Sequence, residues 1–144
     1  MRETLTDHRL IRRLAMLVTM LGMDRRDFVI FGSGPLLAHG LRTQIGDLDV
    51  VARGRTWELA SQYGVPARGN VNGARMASFW GGLIQFSPGW ISADWETDDI
   101  IENAEFVEGM PFARLTDVLR YKRTLGRPKD RYDVALLESR EAAG

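Results

Sequence analysis

Cysteine is absent from the 144 residues, which excludes both a disulfide framework and thiolate chemistry. A reducing compartment such as the cytoplasm suits a chain of this kind. An excess of charge of one sign is also missing: 19 basic and 19 acidic side chains cancel. No global positive field therefore draws the chain to nucleic acid, although a local basic patch stays open as an option. Long apolar runs are lacking too. Nothing approaches the ~20 apolar residues of a membrane span. The Arg-rich start, with Arg9, Arg12 and Arg13, is followed by a short apolar stretch (14–21) and no small-residue cleavage site. It reads as an amphipathic first helix over 1–22, not as a secretion signal. Repeats, low-complexity tracts and dividing linkers are absent, so a single domain over 1–144 is expected. What is present is an ordinary globular balance, 44% hydrophobic and 26% charged, which argues against disorder.

After the first helix, Phe28-Val-Ile-Phe31 reads as a buried strand, ended by the tight turn Gly32-Ser33-Gly34. Pro35 suits the first turn of a helix over 35–41, because its missing N–H is not needed there. A second strand is expected over 47–52 and a helix over 56–63, with Thr56 as its cap and Gly64 as its stop. Two strand-like runs, 75–80 and 83–87, joined by Gly81-Gly82, predict a hairpin. A short helix (97–104), a strand (105–107) and a C-terminal pair of helices (about 116–125 and 130–141) follow, broken by Gly126 and Pro128. This order predicts an α/β (α+β) domain: a mixed twisted sheet of about five strands covered by helices. The sheet core, with the site, occupies 28–107 and the C-terminal helix pair 114–142.

The chemistry is concentrated in FVIFGSGPLLAHGLRTQIGDLDVVA (28–52). On a strand, Asp47 and Asp49 are two residues apart and project from one face, while Leu48 and Val50 point to the other. Two neighbouring carboxylates repel, and one of them tends to hold its proton unless a partner is supplied. A divalent cation removes that conflict, and Mg²⁺ favours one or two carboxylates together with phosphate oxygens. The glycine turn allows close backbone approach and aims N–H groups at a phosphate, with Ser33 as an additional donor. A phosphate cradle beside a carboxylate pair is what nucleotidyl transfer requires.

The pattern hydrophobic–Gly–Ser followed by Asp–hydrophobic–Asp resembles the DNA polymerase β-like nucleotidyltransferase superfamily. The tail LTDVLRYKRTLGRPKDRYDVALL (115–137) is similar to the C-terminal helix pair of its small bacterial members, which include antibiotic-modifying enzymes and toxins of toxin–antitoxin pairs. The resemblance spans about 28–137. It implies a nucleotidyltransferase fold and transfer of NMP from an NTP, ATP among them, to a hydroxyl on a small molecule, an RNA end or a protein. For the toxin-like members it also implies an antitoxin partner. By the same resemblance Gly32 and Ser33 hold the triphosphate, and Asp47 and Asp49 are the catalytic residues that bind Mg²⁺ or Mn²⁺. Lys122 and Lys129 are the phosphate contacts, and Asp130 positions a basic side chain.

One position departs from that pattern. Active members carry a third acid on a later strand, and the outward residue of the 83–87 strand is Gln85, a vestige of that position. A glutamine carbonyl coordinates a metal weakly and does not accept a proton at neutral pH. The alternative reading is thus a nucleotide-binding or partner-binding relative without turnover. Asp94, Glu96, Asp98 and Asp99 follow in a polar segment from which no route to the site can be derived. A dinucleotide-binding turn is disfavoured by Leu37 at the third small position, and a phosphate-loop NTPase by the missing Lys-Ser/Thr. His39 reads as a solvated or locally hydrogen-bonded side chain. The four tryptophans read as packing residues, not as base-stacking platforms.

Overall fold

The structure, a computed structural model, describes residues 5–68, 75–89 and 96–143. Helix α1 (Arg9–Leu21) starts at His8, whose Nδ1 accepts a hydrogen bond from the Leu10 amide at 3.2 Å, and ends at Gly22 in the left-handed conformation. Its apolar stripe buries Leu10, Ile11, Leu14, Leu17 and Val18, as the helical spacing predicts. Strand β1 (Phe28–Phe31) is buried at all four residues, which explains why it is apolar without alternation. Then come α2 (Gly34–Ala38), β2 (Leu48–Ala52), α3 (Gly54–Tyr63), β3 (Val65–Arg68), β4 (Arg75–Phe79) and β5 (Ile84–Ser87). The chain closes with α4 (Thr97–Glu102), β6 (Glu105–Val107), β7 (Met110–Phe112), α5 (Leu115–Leu125) and α6 (Arg131–Ala143).

The strands form one mixed sheet in the order β3-β4-β5-β2-β1-β7-β6. β1 runs antiparallel to β2 and parallel to β7, and β2 runs parallel to β5. Phe28, Ile30, Leu48, Val50, Ile84 and Phe86 face α1 and α3 in one core. Val29, Phe31 and Val51 face the other way, against Ile100 and Ile101 of α4, Val118 and Tyr121 of α5, and Leu137 of α6. The sheet is therefore sandwiched between helices, as a mixed sheet with two apolar faces must be.

The sheet has seven strands, not about five. The two extra strands each contain a proline: Pro66 in β3 and Pro111 in β7. β3 is an edge strand, where a missing N–H is tolerated, and β7 meets β1 at the single pair Ile30↔Phe112. Helix α2 stops at His39, short of the expected 41, and Gly40 follows at φ +72°. Thr56 is not a cap. Arg53 holds that position, and the buried Thr56 hydroxyl accepts from the Asp24 amide at 3.3 Å, tying α3 to the start of β1. The hairpin is present. Its connection winds through a short 3-10 turn (Trp80–Gly82) with Trp80, Gly81 and Gly82 all at positive φ.

Candidate functional site

β1 delivers the chain to Gly32 at φ +62°, a left-handed conformation that glycine adopts without strain. A second constraint acts at the same residue. A Cβ there would stand 2.7 Å from Oδ2 of Asp49, so the backbone of the turn lies directly on that carboxylate. A Cβ on Gly34 would drive into Cγ2 of Ile30. Ser33 is half-buried and precedes α2, which Pro35 helps to start. With five residues α2 adds little macrodipole at the turn.

Asp49 lies within β2, opposite Phe31 of β1 and in register with Gln85 of β5. Asp47 is exposed and precedes β2 by one residue. Burial pushes the Asp49 carboxyl up to about 6, with help from the Asp47 charge; Lys122, Arg127 and Lys129 pull the other way. The carboxylate conflict expected from the sequence is thus present, with burial as its larger cause. The three cations come from the α5–α6 corner, far along the chain. Tyr121 of α5 packs edge-on against Phe31 at 5.2 Å, and its hydroxyl is pushed up to about 12 by burial and by Asp49.

That corner is an ionic network. The buried Lys122 ammonium lies 3.1 Å from Asp130 Oδ1 and 3.3 Å from Asp133 Oδ2. Arg127 donates to Asp130 through Nε at 2.6 Å and Nη2 at 3.3 Å. Arg42, from the loop after α2, pairs with Asp133 Oδ1 at 3.3 Å, out of line for a hydrogen bond. Burial raises the Asp130 carboxyl, but hydrogen bonds from Arg127 and Lys122 outweigh it and hold the group below its ordinary value. In the Lys129-Asp130 step the lysine is exposed and the aspartate turns inward onto the other two cations. Sequence reasoning passed over Asp133, Arg42 and Tyr121. Only Asp133 left a local signal: it lies three residues after Asp130, on the same helical face.

Two of the remaining acids among the described residues pair elsewhere. Asp98 and Glu102 of α4 pair with Arg53 beyond the far end of β2, at 2.9 and 3.5 Å. Asp94, like Trp90 and Trp95, lies outside the described residues. Gln85 is half-buried beside Asp49, and its amide nitrogen donates to the Gly82 carbonyl at 3.5 Å. Among the described residues no three His, Cys, Asp or Glu side chains are grouped to hold a metal. His39 lies 3.1 Å from Glu105 of β6, a partner distant in sequence and not the solvated or local setting expected of it. Trp57 and Trp80 carry Arg75 and Arg13 over their rings. No described helix is long and apolar enough to cross a membrane.

Neither a family model nor a curated protein sequence matches this chain. Its shape does find a counterpart: the crystal structure of a proposed nucleotidyltransferase from Thermotoga maritima. The two superpose with a TM-score of 0.55 over 94% of this chain and 99% of that one, at 14% identity. At such low identity the likeness is one of fold alone, shared with that proposed nucleotidyltransferase.

Proposed function

We propose that this chain is a nucleotidyltransferase-like protein that moves NMP from an NTP to a hydroxyl acceptor. The observation that carries the reading is the contact of the Gly32 turn with Asp49, next to Asp47 and facing the cations of the α5–α6 corner. Gly32 and Ser33 would hold phosphate oxygens by backbone and hydroxyl donors, with the exposed Lys129 as a cation of the expected set; Lys122, expected beside it, is buried between Asp130 and Asp133. Asp47 and Asp49 would hold Mg²⁺ or Mn²⁺, which supplies charge neutralisation for both carboxylates and for the triphosphate. The acceptor oxygen then attacks the α-phosphorus in line, the bond to the bridging oxygen breaks, and pyrophosphate leaves. The hydroxyl proton passes to solvent, since Gln85 does not accept it. A small molecule, an RNA end or a protein fits as acceptor, and an antitoxin-like chain as partner. Incubation with α-labelled NTP, Mg²⁺ and candidate acceptors should give label transfer that Asp47→Ala and Asp49→Ala abolish. Transfer surviving both changes refutes the reading.

Gln85 favours a second reading, a relative that binds nucleotide or a partner chain without turnover. Its register beside Asp49 puts an amide where a third carboxylate would serve as base or metal ligand. It predicts NTP binding without pyrophosphate release, and robust wild-type turnover would eliminate it.

A further inference from the structure

We infer that Arg127, steered by Asp130, is the side chain that grips the nucleotide's triphosphate, and that Lys122 is a buried counter-ion. The assignment rests on the nucleotide-binding reading above and divides the labour among the cations near Asp49.

Lys122 and Arg127 differ first in access. The Lys122 side chain is 4% exposed, whereas that of Arg127 is 31% exposed. They differ also in what remains to give. An ammonium has three donors, and Lys122 stands between Asp130 and Asp133 at 3.1 and 3.3 Å. Drawing it out toward a ligand would strand two carboxylates that are each 4% exposed or less. A guanidinium has five donors in a rigid fork. Asp130 engages one side of that fork through Nε and Nη2, and Tyr121 hydrogen-bonds to the same group. Donors remain, and the fork is fixed in plane, which is the geometry that suits bidentate phosphate binding.

Charge and position agree with this. Lys122, Arg127 and Arg42 oppose Asp130 and Asp133, so the network carries one net positive charge. Arg127 is close enough to Asp49 to pull its carboxyl down. A triphosphate lying on the Gly32 turn over Asp49 would place its outer phosphates toward that charge. Asp130 is accordingly a positioning residue: it touches no ligand and sets the angle of the guanidinium.

The test is equilibrium binding of ATP, AMP and inorganic tripolyphosphate in Mn²⁺ to the wild type and to Arg127→Gln, Arg127→Lys, Asp130→Asn and Lys122→Gln. Arg127→Gln should weaken ATP and tripolyphosphate at least tenfold while leaving AMP within twofold, and Arg127→Lys should restore part of the loss. Asp130→Asn should approach Arg127→Gln in its ATP defect, again sparing AMP. A merely structural role would weaken all three ligands together. Lys122→Gln should lower the melting temperature while its folded fraction keeps ATP affinity within threefold; should it not fold, the two Arg127 variants decide alone. Wild-type ATP affinity in Arg127→Gln overturns the assignment and leaves the nucleotide reading standing. A wild type that binds none of the three ligands overturns both.

Discussion

At Asp49 the fold places a carboxyl group where burial and the neighbouring Asp47 both oppose its charge. The consequence for stability has a definite sign. The folded value is about 6 against an ordinary 3.8, so between these pH values the native state holds the proton more tightly than the unfolded chain. Stability therefore falls as pH rises from about 4 to about 6 and stays lower above. Asp49→Asn removes the buried charge and should stabilise the apo-protein by on the order of 3 kcal/mol at pH 8, with the gain fading near pH 4. Denaturant melts at the two pH values check this, and an equal gain at both would rule out the Asp49 charge as its source. Gly32 is constrained from the other side of the same contact. Gly32→Ala should cost about 1–3 kcal/mol for its left-handed backbone alone, with the clash on Asp49 Oδ2 added. A melting temperature unchanged by this substitution would mean that the turn is not pressed on the carboxylate.

The α5–α6 corner behaves as one unit, because Lys122 of α5 is held by Asp130 from the turn and by Asp133 of α6. Lys122→Met leaves two carboxylates facing each other with their shared cation gone, and should destabilise the fold by about 3–5 kcal/mol. Thermal denaturation measures the loss; a change under 1 kcal/mol would show that the corner does not depend on this cation. How far such elements can be read in advance depends on how local their cause is. β1, the hairpin and both C-terminal helices follow from an apolar run, a Gly-Gly turn and helical spacing, all visible within a short window. β3 and β7 do not, because Pro66 and Pro111 disguise them as loop and only their sheet neighbours make them strands. The site divides the same way. Gly32, Asp47, Asp49 and the Lys129-Asp130 step announce themselves within short stretches of chain. Asp133 is marked only by its spacing from Asp130, whereas Arg42 reaches Asp133, and Tyr121 reaches Phe31, through packing of segments distant in sequence that no local pattern marks.

Across the whole molecule, the sheet order brings this about. β2 is inserted between β1 and β5, so the Gly32 turn reaches Asp49 from one side and Gln85 lies in register on the other. The face carrying Asp49 and Phe31 is the one α5 covers, which is how cations near the end of the chain come to act on a carboxylate near its start. Position 85 is therefore the point at which the fold can be asked what it lacks. Gln85→Glu would place a third carboxylate beside Asp49 and Asp47. Without metal the added charge opposes both neighbours, and Asp49, already pushed up by burial, would hold its proton still more firmly. With a divalent cation the same three groups become a ligand set, and the repulsion turns into binding. Gln85→Glu should thus melt below the wild type in EDTA. On adding Mn²⁺ it should gain more stability than the wild type does, by at least the 1.4 kcal/mol that a tenfold tighter site represents at saturating metal. Paired melts with and without Mn²⁺ decide it, because a variant that loses the same stability in both conditions has gained no metal ligand at position 85.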